Sequence, residues 1–202
     1  MQQKIRLLVL SSILIIYAIS GSYAQTFPTT FKVEEDLVAI GSDFTLKEKG
    51  KAKAIGKIYQ RHLNLTTTFE LVVDGRKVCS AKTRLISIGT CIDIYDDKGQ
   101  FIGSVEEEII RSWFSPLSHI FSVKDSKGNV IAVSDKISIV GTTCTIKKGG
   151  KVVCRYRRPA VNIFTDTWDC SIDKAIDYRL VIFIPAFITY SNNERERDRD
   201  RD

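Results

Sequence analysis

The sequence predicts a mainly β fold: a closed antiparallel barrel of about twelve strands, built from repeated hairpins around one apolar C-terminal helix. Two observations predict it. A hairpin pattern recurs along the chain, and an apolar stretch near the C-terminus follows the last of these hairpins.

The repeat is visible when five pieces are set one under another: Phe44 to Gly50, Phe69 to Gly75, Ile92 to Gly99, Phe121 to Gly128 and Cys144 to Gly149. Each opens with two apolar or Cys residues spaced by two, runs into Asp or Lys, and ends in Gly. A second alternating piece follows each Gly: 52–59, 77–83, 101–107, 129–136 and 151–157. Alternation at period two marks a half-buried strand, and Gly in a polar cluster between two such runs marks a reversal. The unit is therefore a β-hairpin, recurring every ~25 residues. Residues 31–40 read as a leading strand and residues 162–168 as a closing one.

From Leu180 to Ile188 no residue is polar, so neither side of this segment favours water. The run is about half the ~20 residues that a membrane helix needs. It reads as a helix buried within the strands. A sandwich has no place for such a helix, whereas a barrel of this size is too wide for its own side chains to fill. Pro185 is expected either to kink this helix or to end its regular part, the second leaving it over about 174–184 with an extended exit.

The N-terminus reads as a targeting segment. Lys4 and Arg6 precede an apolar run over residues 7–19, and Ser22-Tyr23-Ala24 is a small-x-small cleavage site, so cleavage is expected after Ala24. The domain then spans residues 25–192, and residues 193–202 form a charged tail expected to be disordered. Losing Lys4 and Arg6 takes the formal charge from +6 to +4, and setting aside the tail's five acids and four arginines leaves +5 on the body. That mild bias suits anionic lipid or glycan partners and is too small to argue for nucleic acid.

All five cysteines, Cys79, Cys91, Cys144, Cys154 and Cys170, follow the expected cleavage point, where an oxidising compartment permits bridges. An odd count leaves at least one free or paired with another chain. Alternation puts Cys144, Ile146, Val152, Cys154 and Tyr156 on the inner side of the fifth hairpin and Thr145, Lys147, Val153, Arg155 and Arg157 outside. A turn centred on Gly149 sets Cys144 opposite Cys154. They form either a disulfide or two core thiols, since opposed Cβ atoms lie about 4.5–5.5 Å apart and a bridge needs nearer 3.8 Å. Asn64-Leu65-Thr66 is the single glycosylation sequon, making Asn64 a candidate glycan site.

Hairpins of the form Phe-x-Leu-x-Lys/Asp-x-x-Gly-x-x-Ile, followed by an apolar C-terminal helix, resemble the LURP-one-related proteins. With the phospholipid scramblases these belong to the tubby C-terminal-like superfamily. The resemblance runs from about Phe31 to Asn192 and implies a twelve-stranded barrel around a central hydrophobic helix. It transfers no site, because no residue here matches a tubby lipid-binding position. The N-terminal segment and the five cysteines depart from a superfamily that is mostly intracellular.

Little in the sequence points to catalysis. His62 and His119 are the only histidines, and no Cys or His spacing fits a metal site. Asp96-Asp97-Lys98-Gly99 and Asp125-Ser126-Lys127-Gly128 read as Asp-rich turns rather than calcium loops, and Glu106 to Glu108 as a solvated strand end. One basic face stands out: Lys147, Lys148, Lys151, Arg155, Arg157 and Arg158 on the fifth hairpin, with Lys47, Lys49, Lys51 and Lys53 clustered on the first. The expected protein is a secreted, monomeric, non-enzymatic binding module for anionic lipid or glycan, with no cofactor. The alternative is a scramblase-like membrane-associated protein retained by an uncleaved segment 7–19. An enzyme using His62 or His119 ranks third.

Overall fold

A computed structural model describes residues 27–36, 43–63, 66–84, 91–108, 118–135, 137–138, 143–158 and 167–190. The expected signal segment, the sequon Asn64 and the charged tail lie outside these residues.

The strands are β1 (Thr30–Asp36), β2 (Asp43–Glu48), β3 (Ala54–Leu63), β4 (Thr66–Val73), β5 (Arg76–Thr83), β6 (Cys91–Asp96), β7 (Phe101–Glu107), β8 (Ser118–His119), β9 (Phe121–Asp125), β10 (Val130–Ser134), β11 (Ile137–Ser138), β12 (Thr143–Lys148), β13 (Lys151–Arg157) and β14 (Thr167–Ile172). Twelve close into an antiparallel barrel in the order β1-β14-β13-β12-β10-β9-β7-β6-β5-β4-β3-β2, and β8 pairs with β11 in a separate small sheet. The five hairpins stand where the repeat places them. The closing strand runs further than its expected 162–168, because the alternation of buried Trp168, Cys170 and Ile172 continues past the point where the sequence reading stopped. Val33 pairs with Trp168 and Phe31 with Cys170, which shuts the barrel.

All five hairpins share one irregularity. Their registers shift next to the turn, leaving Ile55, Val78, Ile102, Ile131 and Val153 without a cross-strand partner. Each of these bulge residues packs against or within the core. In the fifth hairpin, Gly149 and Gly150 take positive φ of 55° and 81°, the tight reversal that matches strand twist, and pair Lys148 with Lys151. The bulge beyond it inverts the expected faces: Val152 is exposed and Val153 buried. The position of the turn and the bulge each shift the pairing by one residue, which together overturn the expected cysteine register, while Cys154 and Tyr156 keep their inward faces. Cys144 lies opposite Tyr156 and Cys154 opposite Ile146.

The C-terminal segment fills the barrel. Asp177 caps α1 (Tyr178–Val181), its carboxylate accepting from the Arg179 N–H at 3.0 Å. After a turn at 182–183 the chain is helical again over 184–190. Of the two outcomes expected at Pro185, the helix is interrupted and resumes, and the extended exit is not found. Pro185 sits in the first turn of this second stretch, where a missing N–H is tolerated. Val181, Ile182, Phe183, Ile184, Ala186 and Phe187 are all within 1% of complete burial. Each large side chain contributes about 1.5–3 kcal/mol by leaving water.

Two polar features lock the segment in place. Proline cannot donate to the carbonyl four residues earlier, that of Val181; the buried Tyr156 hydroxyl donates to it instead, at 2.8 Å. Near the far end, Trp168 Nε1 donates to Thr189 Oγ1 at 3.3 Å and Thr67 Oγ1 to the Tyr190 hydroxyl at 3.1 Å. Gly103 lets the wall approach α1: a Cβ there would lie 2.2 Å from the Lys124 carbonyl oxygen and 2.8 Å from Leu180 Cδ2.

Candidate functional site

Alternating strand direction gathers the five hairpin turns at one end of the barrel and the connecting loops at the other. The helical segment enters at the turn end, directly after β14. The chain leading into β1 lies there too, with Phe27 stacked on Tyr178 at 4.5 Å between ring centroids.

At this end an open cleft of about 570 Å³ lies between the start of β13 and the end of β14, with Thr29 at its margin. Val152 to Arg155 line one side and Ser171 to Lys174 the other. Barrel closure joins the margins: Ile172 N donates to the Thr29 carbonyl and Asp173 N to that of Val153, both at 2.8 Å. Arg155 pairs in register with Thr145 on β12 and Ser171 on β14, and of these two Ser171 also lines the cleft. Arg155 and Lys174 make no salt bridge among the described residues, and the Asp173 carboxylate accepts from the Ala175 N–H at 2.8 Å. The cleft therefore offers two uncommitted cations and one acid already engaged by the backbone.

The basic residues singled out from sequence divide into two groups. Lys147 bridges Asp135 at 2.9 Å, Lys148 reaches the Ala175 carbonyl at 2.9 Å, and the Arg158 guanidinium lies 5.6 Å from the Trp168 ring centroid. These three act as struts. Lys151, Arg155 and Arg157 are exposed, and only Arg155 lines the cleft. Of the first-hairpin cluster, Lys47 bridges Glu34 at 2.5 Å and Lys51 bridges Glu48 at 2.8 Å. Lys174 and Ser171 were missed, because in sequence they belong to no basic or hairpin pattern and only the pairing of β13 with β14 brings them across from Arg155.

No disulfide joins the cysteines; all five are free and buried. Burial pushes the thiols of Cys79, Cys91 and Cys154 up to about 12, and those of Cys144 and Cys170 up as well. Such thiols are poor nucleophiles at neutral pH. That includes Cys154, which borders the cleft at 1% exposure. His62 Nδ1 lies 3.2 Å from Thr67 Oγ1, and its Nε2 3.1 Å from Gln60 Nε2, at the loop end and away from the cleft. His119 belongs to β8.

The Asp-rich turns are self-contained. Asp96 Oδ1 accepts from the N–H groups of Lys98 and Gln100, and Asp125 Oδ1 from those of Lys127 and Asn129. Among the described residues no group of three ligand-type side chains could hold a metal. The acidic run is not the solvated end expected. Glu106 bridges Lys124 at 2.5 Å and Arg84 at 3.5 Å, with Ser104 donating to it at 3.2 Å. Burial pushes its carboxyl up, but Lys124 above all, then Ser104 and Arg84, outweigh burial and hold it below its ordinary value. No described helix is long and apolar enough to cross a membrane, which leaves strands out of account.

A closed antiparallel barrel of twelve strands threaded by its own apolar C-terminal segment defines the class of protein, and it agrees with the tubby-like architecture. The chain matches the LURP-one-related family over residues 29–187 and belongs to that family. No curated protein matches it.

Proposed function

We propose that the protein is a non-enzymatic binding module that takes an anionic ligand, a lipid headgroup or an acidic glycan, in the β13–β14 cleft. One observation carries the reading: Arg155 and Lys174 converge on a cleft whose acid, Asp173, is occupied by backbone. The Ser171 hydroxyl, in the same cleft and in register with Arg155, supplies a further donor for an oxyanion. Family membership agrees with a binding module, and the buried high-pKa thiols with a non-catalytic one.

Arg155→Glu and Lys174→Glu should each weaken binding to anionic vesicles or to a sulfated glycan by roughly 10-fold, as expected for losing a charge-assisted contact. Unchanged binding of both ligands by the double variant would dispose of the cleft. We further propose secretion, supported by Lys4, Arg6, the apolar run 7–19 and Ser22-Tyr23-Ala24. N-terminal sequencing of the product in the medium should begin at Gln25; an intact Met1 in the membrane pellet would overturn it.

A further inference from the structure

The shared bulge has an outward consequence. Where the bulge residue turns onto the core, the residue before it turns to solvent at the turn-end rim. In the first two hairpins that residue is Ala54 or Lys77. In the other three it is Phe101, Val130 and Val152, paired outward with Tyr95, Lys124 and Lys147. These three are the exposed large hydrophobics among the described residues, at 40%, 53% and 44% exposure.

They form an arc. In the barrel order β13-β12-β10-β9-β7 they occupy alternate strands, so about 10 Å separates neighbours at ~4.8 Å per strand. Each stands beside a turn lysine, Lys151, Lys127 or Lys98, that makes no salt bridge among the described residues. Asp96 and Asp125 are tied to their own turns. Both keep their charge, so Asp96 and Asp97 outweigh Lys98 and Asp125 balances Lys127, and the positive field of the rim lies on the fifth hairpin, at Lys148 and Lys151.

The spacing decides the kind of partner. Protein interfaces favour a contiguous apolar core depleted of charge, and these apolar tips are separate, each with a cation at its side. A bilayer surface suits that pattern, because small tips enter the headgroup–acyl boundary while adjacent lysines meet anionic headgroups. We propose that this arc is the face by which the protein lies on an anionic lipid bilayer. The proposal rests on the anionic-ligand reading of the cleft, which opens at the same end, and specifies a membrane as the source of that ligand.

The test uses the full chain. The apolar run 7–19 would itself enter lipid if retained, so the readout is local: Phe101→Trp, its emission compared with wild type to subtract Trp113 and Trp168. With vesicles containing phosphatidylserine, F101W should shift to the blue and be quenched by brominated acyl chains. With phosphatidylcholine alone, the shift should shrink. Replacing Phe101, Val130 and Val152 by Ser should weaken partitioning roughly 10-fold or more. Lys127→Glu with Lys151→Glu should weaken it on anionic vesicles only. All of these positions are exposed, so an unchanged melting temperature is expected throughout. Absence of an F101W shift on anionic vesicles overturns the proposal. A sulfated glycan bound through Arg155, with F101W silent on vesicles, overturns the rim and keeps the cleft. Loss of vesicle binding in the rim variants, with Arg155→Glu and Lys174→Glu without effect, supports the rim and removes the cleft.

Discussion

Removing the Tyr156 hydroxyl should expose how the C-terminal segment is held. In Tyr156→Phe the Val181 carbonyl loses its donor at a site where the phenol is completely buried, so water cannot replace it. An unpaired buried carbonyl costs about 1–3 kcal/mol. At roughly 2–4 °C per kcal/mol for a protein of this size, melting should fall by about 2–12 °C. The cause is tested by Pro185→Ala, which restores an N–H four residues beyond Val181. In that background the phenol is no longer the only available donor, and Tyr156→Phe should cost about 1 kcal/mol less. Urea denaturation of wild type, both single variants and the double variant gives the coupling. If Tyr156→Phe costs the same whether residue 185 is Pro or Ala, the hydroxyl is not standing in for the missing N–H, and the account of the break at 182–183 fails.

Other outcomes follow from the same packing. Gly103→Ala should destabilise by about 3 kcal/mol or prevent folding, because its Cβ meets backbone at Lys124 and not a yielding side-chain tip; near-wild-type urea midpoints would refute this. All five thiols should resist iodoacetamide at pH 8 in the native state and react fully after denaturation; a mass lower by two protons in the unreduced protein would instead reveal a bridge. Glu106 should tie stability to acid pH. Its folded pKa lies below its ordinary 4.5, so its contribution is complete above that pH and is lost as pH falls through the depressed value. Glu106→Gln should therefore flatten the acid limb of stability below about pH 4.5, and an unchanged limb would exclude the Lys124–Glu106–Arg84 group as its source.

The hairpins were legible because each is a local event: a Gly reversal with period-two alternation on either side fixes two strands within a few residues. The helical core was legible because nine consecutive apolar residues, Leu180 to Ile188, leave no face for water. The site was less so. Lys147 was counted with Arg155 as an open cation because Asp135, its partner, lies twelve residues away along the chain and meets it only through β10–β12 pairing. Lys174 was overlooked for the converse reason, since it stands across from Arg155 only because β14 pairs with β13. A list of charges in order carries no information on which are already answered.

The cysteine register failed for a more instructive reason. Alternation assumes that each residue past a turn has one partner; here the two-residue turn and the inserted residue each move the pairing by one, so Cys154 keeps its inward face but meets Ile146 in place of Cys144. The insertion nonetheless leaves a trace in the chain. Ile or Val stands three residues after Gly75, Gly99, Gly128 and Gly150, and each of these β-branched residues is the bulge; after Gly50 the interval lengthens, with Ile55 in the same role. Twelve strands around one segment leave a wide mouth at the turn end, and five inward bulges narrow it with side chains that β14 and α1 alone do not supply. Geometry then obliges the preceding residue to face out. Narrowing the mouth and presenting Phe101, Val130 and Val152 to solvent are thus two results of one insertion, so a change that removes a bulge should alter core packing and rim chemistry together.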